Sequence, residues 1–211
     1  MPTVRVTFSG PGPQANGLAA AADGLWICDQ NDHKVYLVRY DDGAILTSFS
    51  GPGRNLSGIA WGGYAVWTAS NTRPSVIYRH DPWTGQTVAA VPLPEADQGG
   101  VHGIEWADDT LWVTRPGLRV IQQIRADTGE KLHDISFPAS RSHGLYWEAD
   151  SRTITCVETN NHHVYRLNVA NGAILAEFVI DGFEPHGMTR DPWGRVWLCD
   201  ATTNRIGILE I

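Results

Sequence analysis

The 211 residues carry 16 Lys and Arg against 23 Asp and Glu, a formal net charge of −7, with 42% hydrophobic and 18% charged residues. The basic residues are scattered, which speaks against a nucleic-acid or anionic-membrane surface, since both need clustered cations. No apolar run approaches the ~20 residues that span a bilayer, and the N-terminus (MPTVRVTFSGPG) lacks the apolar core of a secretion signal. The expectation is a cytoplasmic protein whose partner is a small molecule, with neither nucleic acid nor membrane; oligomeric state is not readable. Three cysteines, Cys28, Cys156 and Cys199, form no C-x-x-C pair and read as buried small hydrophobes.

In chain order the first element is Thr3-Val4-Arg5-Val6-Thr7-Phe8-Ser9, a strand by composition. Next comes Asn16-Gly17-Leu18, the first of five copies of a signature: a small or polar residue, Gly, then an aliphatic residue or Met. The runs LWICD at 25–29, KVYLVRYD at 34–41 and AILTSFS at 44–50 follow it. The same order returns as Ser57-Gly58-Ile59, VWTAS at 66–70, SVIYRHD at 75–81 and TVAAVPL at 87–93. The third copy is His102-Gly103-Ile104, LWVTR at 111–115, VIQQIRAD at 120–127 and KLHDISF at 131–137. The fourth is His143-Gly144-Leu145, ITCVE at 154–158, HVYRLNVA at 163–170 and AILAEFV at 173–179. The last is His186-Gly187-Met188, VWLCD at 196–200 and RIGILEI at 205–211, where the chain ends.

Each run is short, rich in Val, Ile, Trp, Tyr, Phe and Thr, and bounded by Gly, Asp, Asn or Pro, which is strand chemistry. Turns such as Asp42-Gly43, Thr128-Gly129 and Asn171-Gly172 join third and fourth strands as hairpins. A four-stranded antiparallel unit repeating every ~42 residues is a propeller blade. The expected fold is therefore all-β, a five-bladed β-propeller over 1–211 as a single domain. The last repeat lacks a fourth strand, and Thr3–Ser9 resembles Ala44–Ser50 down to the closing Phe-Ser, so the N-terminal strand is expected to complete the last blade and remove a free edge.

In such a ring the residue before each repeat Gly and the residue ending each second strand share one rim. The inner ring is Asn16, Ser57, His102, His143 and His186; the second is Asp29, Ser70, Arg115, Glu158 and Asp200; two residues upstream of the inner ring lie Gln14, Asn55, Gly100, Arg141 and Glu184. Positions that serve only the fold converge on one residue type, as the glycines and tryptophans do, whereas these diverge among polar and ionisable types. Three histidines on one axis would repel one another when protonated. A cation would relieve that, and imidazoles suit Zn, Fe or Mn better than Mg or Ca. The candidate ligands of a divalent metal are His102, His143 and His186, with Glu184, Asp200 or Glu158 adding a carboxylate. The alternatives are histidines that merely fill the tunnel mouth, or direct acid–base use. Arg115 and Arg141 are candidates to grip an anion. His33, His162 and His163 read as surface turns, His80 and His133 as solvated, and Trp26, Trp67, Trp112 and Trp197 as packing between blades.

The stretch P-H-G-M…D-P-W-G-R-V-W-L-C-D…N-R-I-G-I-L at 185–209 resembles an NHL-type blade, and most closely the virginiamycin B lyase (streptogramin lyase) family. The resemblance implies that Glu184 and Asp200 hold Mg²⁺, that His186 is the general base and that His143 assists. The signature placement is also similar to metal-ligand positions in gluconolactonase-type propellers, whose ligands are mostly oxygen donors. The chain departs from the lyase family in having five blades rather than seven, Asp200 where the family has Glu, and His102 as an extra histidine. The expected function is a metal-dependent lyase opening an ester, lactone or related carbonyl compound by elimination, with His186, His143, Arg115 and Arg141 as catalytic candidates. The alternatives are a metal-dependent lactonase-type hydrolase and a non-catalytic binding or scaffold propeller.

Overall fold

The computed structural model describes residues 2–93 and 100–211 and contains five four-stranded antiparallel sheets. The N-terminal strand β1 is Thr3–Ser9. Blade one comprises β2 (Ala15–Ala21), β3 (Gly24–Asp29), β4 (Lys34–Val38) and β5 (Ile45–Ser50). Blade two comprises β6 (Leu56–Gly62), β7 (Ala65–Ser70), β8 (Val76–His80) and β9 (Thr87–Pro92). Blade three comprises β10 (Ile104–Ala107), β11 (Thr110–Arg115), β12 (Val120–Arg125) and β13 (Lys131–Ser136). Blade four comprises β14 (Ser142–Glu148), β15 (Thr153–Glu158), β16 (His163–Asn168) and β17 (Ile174–Val179). Blade five comprises β18 (Pro185–Arg190), β19 (Val196–Asp200) and β20 (Arg205–Glu210), completed by β1. β1 pairs antiparallel with β20, Thr3 opposite Glu210 and Ser9 opposite Arg205, so the expected closure is present. No helix among the described residues is long and apolar enough to cross a membrane.

Each first strand packs against the first strands of its two neighbours, closing the ring around a central axis. The hydrophobic residues collect in five clusters, one per seam between blades. The second-strand tryptophans lie in these seams. Trp26 stacks on Trp61 of the next blade at 6.2 Å, Trp67 on Trp106 at 5.5 Å and Trp112 on Trp147 at 6.4 Å. Blade four has Thr155 at this place; Trp197 of blade five meets Phe8 of β1 at 6.0 Å and Tyr40 of blade one at 5.3 Å. Aromatic pairs of this kind add to their burial, so the Trp repeat is the packing device its spacing predicts. All three cysteines are free and buried.

Two histidines depart from the expectation of solvation. His133 is half-buried and bonds the Val169 carbonyl at 2.8 Å. His80 is fully buried, with Nε2 2.8 Å from Thr68 Oγ1 and Nδ1 3.2 Å from Thr87 Oγ1. Burial pulls the His80 pKa down to about 4 from 6.5. Between these values the unfolded chain binds a proton that the folded chain does not. The stabilisation is therefore whole above about pH 6.5 and is lost as pH falls through about 4, an effect of about 3 kcal/mol. The urea midpoint is expected to fall across this window, and His80→Gln, which keeps polar contacts and removes the titration, is expected to flatten the fall.

Candidate active site at the tunnel mouth

Four of the five first strands carry a β-bulge at the repeat signature. Pairing slips between Ala15 and Gly17, Leu56 and Gly58, Ser142 and Leu145, and Pro185 and Met188. A bulge frees residues from the ladder and re-aims their side chains; here the freed positions are Asn16, Ser57, His143 and His186. In blade three the signature precedes β10, and His102 is held by its amide donating to the Thr114 carbonyl at 3.3 Å. The same glycine lets each strand approach its neighbour, so all five inner-ring residues meet at one mouth.

They form a connected belt. Asn16 Nδ2 donates to Gln30 Oε1 at 3.0 Å, and Ser57 Oγ lies 2.9 Å from Asn16 Oδ1 and 3.0 Å from the His102 carbonyl oxygen. His102 Nδ1 lies 2.8 Å from His143 Nε2, and the rings of His143 and His186 stand edge to face at 4.8 Å. His186 Nδ1 is 3.1 Å from the Glu184 carbonyl oxygen, to which it can only donate, and its Nε2 is 3.6 Å from Glu184 Oε1. Below the belt the tunnel is filled by Leu18, Ile59, Ile104, Leu145 and Met188, leaving a cavity of about 10 Å³, room for roughly one water. The histidines are therefore approached from the rim alone.

Burial, then the neighbouring histidines and Arg141, hold the His143 pKa well below 6.5, and one of its ring nitrogens, Nδ1, is buried without a partner. Burial also lowers the pKa of His186; its bond to the Glu184 carbonyl and the Glu184 carboxylate push it back up, and Arg141 pushes it down. Both shifts favour the neutral rings at neutral pH. Arg141 is half-buried and donates to Asn160 Oδ1 at 3.1 Å, with its charge felt by both rings.

The other ring of candidates does something different. Asp200 Oδ1 accepts the Thr202 and Thr203 amides at 3.0 and 2.9 Å; its Oδ2 accepts the Glu184 amide at 3.3 Å and Arg205 Nη2 at 3.0 Å. Asp29 repeats this, taking the Asn31, Asp32 and Gln14 amides. Glu158 Oε2 accepts the Asn161 amide and side chain at 2.9 and 3.0 Å, while its Oε1 is buried without a partner. These carboxylates cap the loops after the second strands, where short acidic side chains satisfy turn amides. Both Asp200 oxygens are thereby engaged in the loop, while Glu158 keeps one oxygen unbonded. Arg115 is likewise turned into blade three, buried, with Nη1 on Gln122 Oε1 at 2.9 Å. The histidines, Glu184 and Arg141 are thus brought together, Asp200 stands behind Glu184 with its charge felt by His186, and Arg115 is turned away.

The expected divalent metal finds no ready-made ligand set in this arrangement. The His102–His143 bond takes one nitrogen of each ring, His186 gives Nδ1 to Glu184, and both Asp200 oxygens are bonded, while His143 Nδ1 and His186 Nε2 carry no such bond. Among the described residues no group of three or more His, Cys, Asp or Glu is disposed to hold a metal ion. One acid went unnoticed in the sequence: Glu105 on β10, whose carboxyl burial pushes up to about 8 and whose Oε1 accepts the Trp147 amide at 3.5 Å. Its signal was divergence again, since the matching first-strand residues are Ala19, Ala60, Tyr146 and Thr189.

No family model matches the chain, and no curated protein matches it. Solved structures do. A glutaminyl cyclase from Myxococcus xanthus is similar with a TM-score of 0.81 and 11% identity, covering 99% of this chain and 96% of that one. A streptogramin B lyase is similar at 0.61 with 16% identity, covering 99% and 97%. A catalytically inactive histidine-to-alanine variant of virginiamycin B lyase from Staphylococcus aureus, with quinupristin, is similar at 0.60 with 21% identity, covering 95% and 70%. These are likenesses of fold, and by them, as by its five sheets, the chain is a five-bladed β-propeller of the architecture these proteins share.

Proposed function

We propose that the tunnel mouth is the active site of a lyase that opens an ester, lactone or related carbonyl compound by elimination, with His186 as the base. The observation that carries this reading is the pinned tautomer of His186. With Nδ1–H given to the Glu184 carbonyl, the lone pair of the neutral ring sits on Nε2, on the side of the Glu184 carboxylate. A proton taken from the carbon next to the carbonyl goes to Nε2, and the resulting imidazolium faces a carboxylate. The C–H electron pair becomes the C=C bond, and the C–O bond breaks with its pair leaving on oxygen. Arg141 is the cation beside the rings that would meet the developing negative charge. No step is routed through a metal. The fold likeness supports the class: two of the similar proteins are lyases by name, and one is inactivated by loss of a histidine.

The test is a panel of esters and lactones turned over in ¹⁸O-labelled water, with metal analysis of the purified protein. An unsaturated product without ¹⁸O, lost in His186→Ala, is expected. Solvent ¹⁸O in the product would overturn elimination in favour of the lactonase reading. No turnover, with wild type and the His102, His143, His186 triple-alanine variant binding the same compounds alike, would make this a scaffold. One equivalent of transition metal lost in that triple variant would overturn the metal-free base and restore the metal-dependent reading.

A further inference from the structure

On the rim opposite the histidines, the seams between blades open into grooves backed by the stacked tryptophans. In several of these the aromatic face is covered by a guanidinium of the chain itself. Arg79 lies 5.6 Å over Trp67, and Arg152 lies 5.9 Å over Trp147. Arg195 lies 5.5, 5.2 and 5.4 Å from the rings of Tyr40, Trp193 and Trp197 between blades five and one. The groove between blades one and two, of about 400 Å³, differs: its walls include Trp26, Trp61 and Trp83, with Asp23 at the edge it shares with the groove of Arg39 and Arg195, and neither Lys nor Arg lines it.

The repeat shows how this groove arose. Strand register sets Leu37 opposite Trp26, where the next blade sets Arg79 opposite Trp67. Counting back from the hairpin glycines, Trp83 precedes Gly85 by the same two residues as Asp127 precedes Gly129, and Asp127 lines the neighbouring groove. Relative to that groove, this one has exchanged its own cation for Leu and its own acid for a third indole. Trp83 is 77% exposed, so its face is open to a ligand.

We infer that this groove binds a small organic ammonium cation, held against the open face of Trp83 beside Trp61 and Asp23. Indole faces are the best π partners for a cation, and quaternary ammonium groups are the ligands that aromatic cages select. Asp23 supplies the counter-charge, and the net charge of −7 favours approach of a cation. The site is separate from the reaction at the histidines and stands whether or not that reading holds.

Choline titrated into the protein, followed by tryptophan fluorescence and indole N–H shifts, tests it, with 3,3-dimethylbutan-1-ol as the neutral isostere. A saturable response to choline and a much weaker one to the alcohol are expected. Leu37→Arg, which rebuilds the internal cation without removing an indole, is expected to weaken binding about tenfold or more, and Asp23→Asn to weaken it less. No saturable response would overturn the proposal. An equal response to the alcohol would make the groove merely apolar, and unchanged affinity in a folded Leu37→Arg variant would place the cation elsewhere.

Discussion

Gly144→Ala is expected to lower the unfolding free energy by about 3 kcal/mol or more, at the upper end of what overpacking costs. With only five blades, the first strands crowd the axis, backbone against backbone. A Cβ on Gly144 would fall on the amide nitrogen of Met188 and within 2.6 Å of the His186 carbonyl oxygen. Neither is the end of a flexible side chain, so the whole of β18 would have to retreat and open the seam that holds Val157, Phe183, Met188 and Leu198. Gly103 stands in the same relation to the His143 carbonyl oxygen. Gly53 is the control: a Cβ there meets Leu56, Ser70 and Tyr78 at 3.4–3.6 Å, ordinary contact, so Gly53→Ala is expected to stay within about 1 kcal/mol of wild type. Urea denaturation of the two variants decides the point; a Gly144→Ala protein as stable as Gly53→Ala would mean that the ring is looser at its axis than this packing requires.

The same crowding explains why the fold was legible from the chain. A residue type forced by backbone contact must recur, and Gly17, Gly58, Gly103, Gly144 and Gly187 do, at the blade period. The Trp positions recur because each seam needs a large flat surface, and the likeness of Thr3–Ser9 to Ala44–Ser50 reflects the shared duty of a fourth strand. The inner ring was legible for the opposite reason, since fold-neutral places diverge. Divergence alone, however, does not separate a site from a loop cap. Asp29 and Asp200 vary with Ser70 and Glu158 because each caps a different loop, and that role shows only when the amides of Thr202 and Thr203 are seen to converge on Asp200. Arg115 differs because blade three lacks this acidic cap and turns its side chain inward to Gln122. The bulges that aim His143 and His186 are also invisible in composition, because a slip of one residue leaves the apolar pattern on either side intact. His80 differs from its reading as solvated because a third-strand end reads as surface until Phe49 of the neighbouring blade packs at 5.2 Å against it.

His186→Ala is expected to cost ~10²–10⁴ in elimination rate, the usual worth of a general base, and the pH profile identifies the group. The active form is the neutral ring, so kcat/KM should rise with pH through a pKa below 6.5 and stay level through neutrality. The neighbours of His186 act on that limb in opposite senses. The Glu184 carboxylate favours the charged ring, so Glu184→Gln should move the limb to lower pH while lowering the plateau, because the imidazolium formed in the transition state loses its partner. Arg141 disfavours the charged ring, so Arg141→Ala should move the limb to higher pH, and it should lower the plateau by removing the cation that meets the departing charge. A side chain with a merely structural role would change the height of the profile and leave its midpoint in place. The same shifts can be read without a substrate, by following the imidazole ¹⁵N resonances of His186 through a pH titration; the neutral ring should show Nδ1 protonated throughout. A midpoint unmoved by both substitutions, or an Nε2–H tautomer, would mean that Glu184 and Arg141 do not govern His186, and the base would have to be sought in the His102–His143 pair.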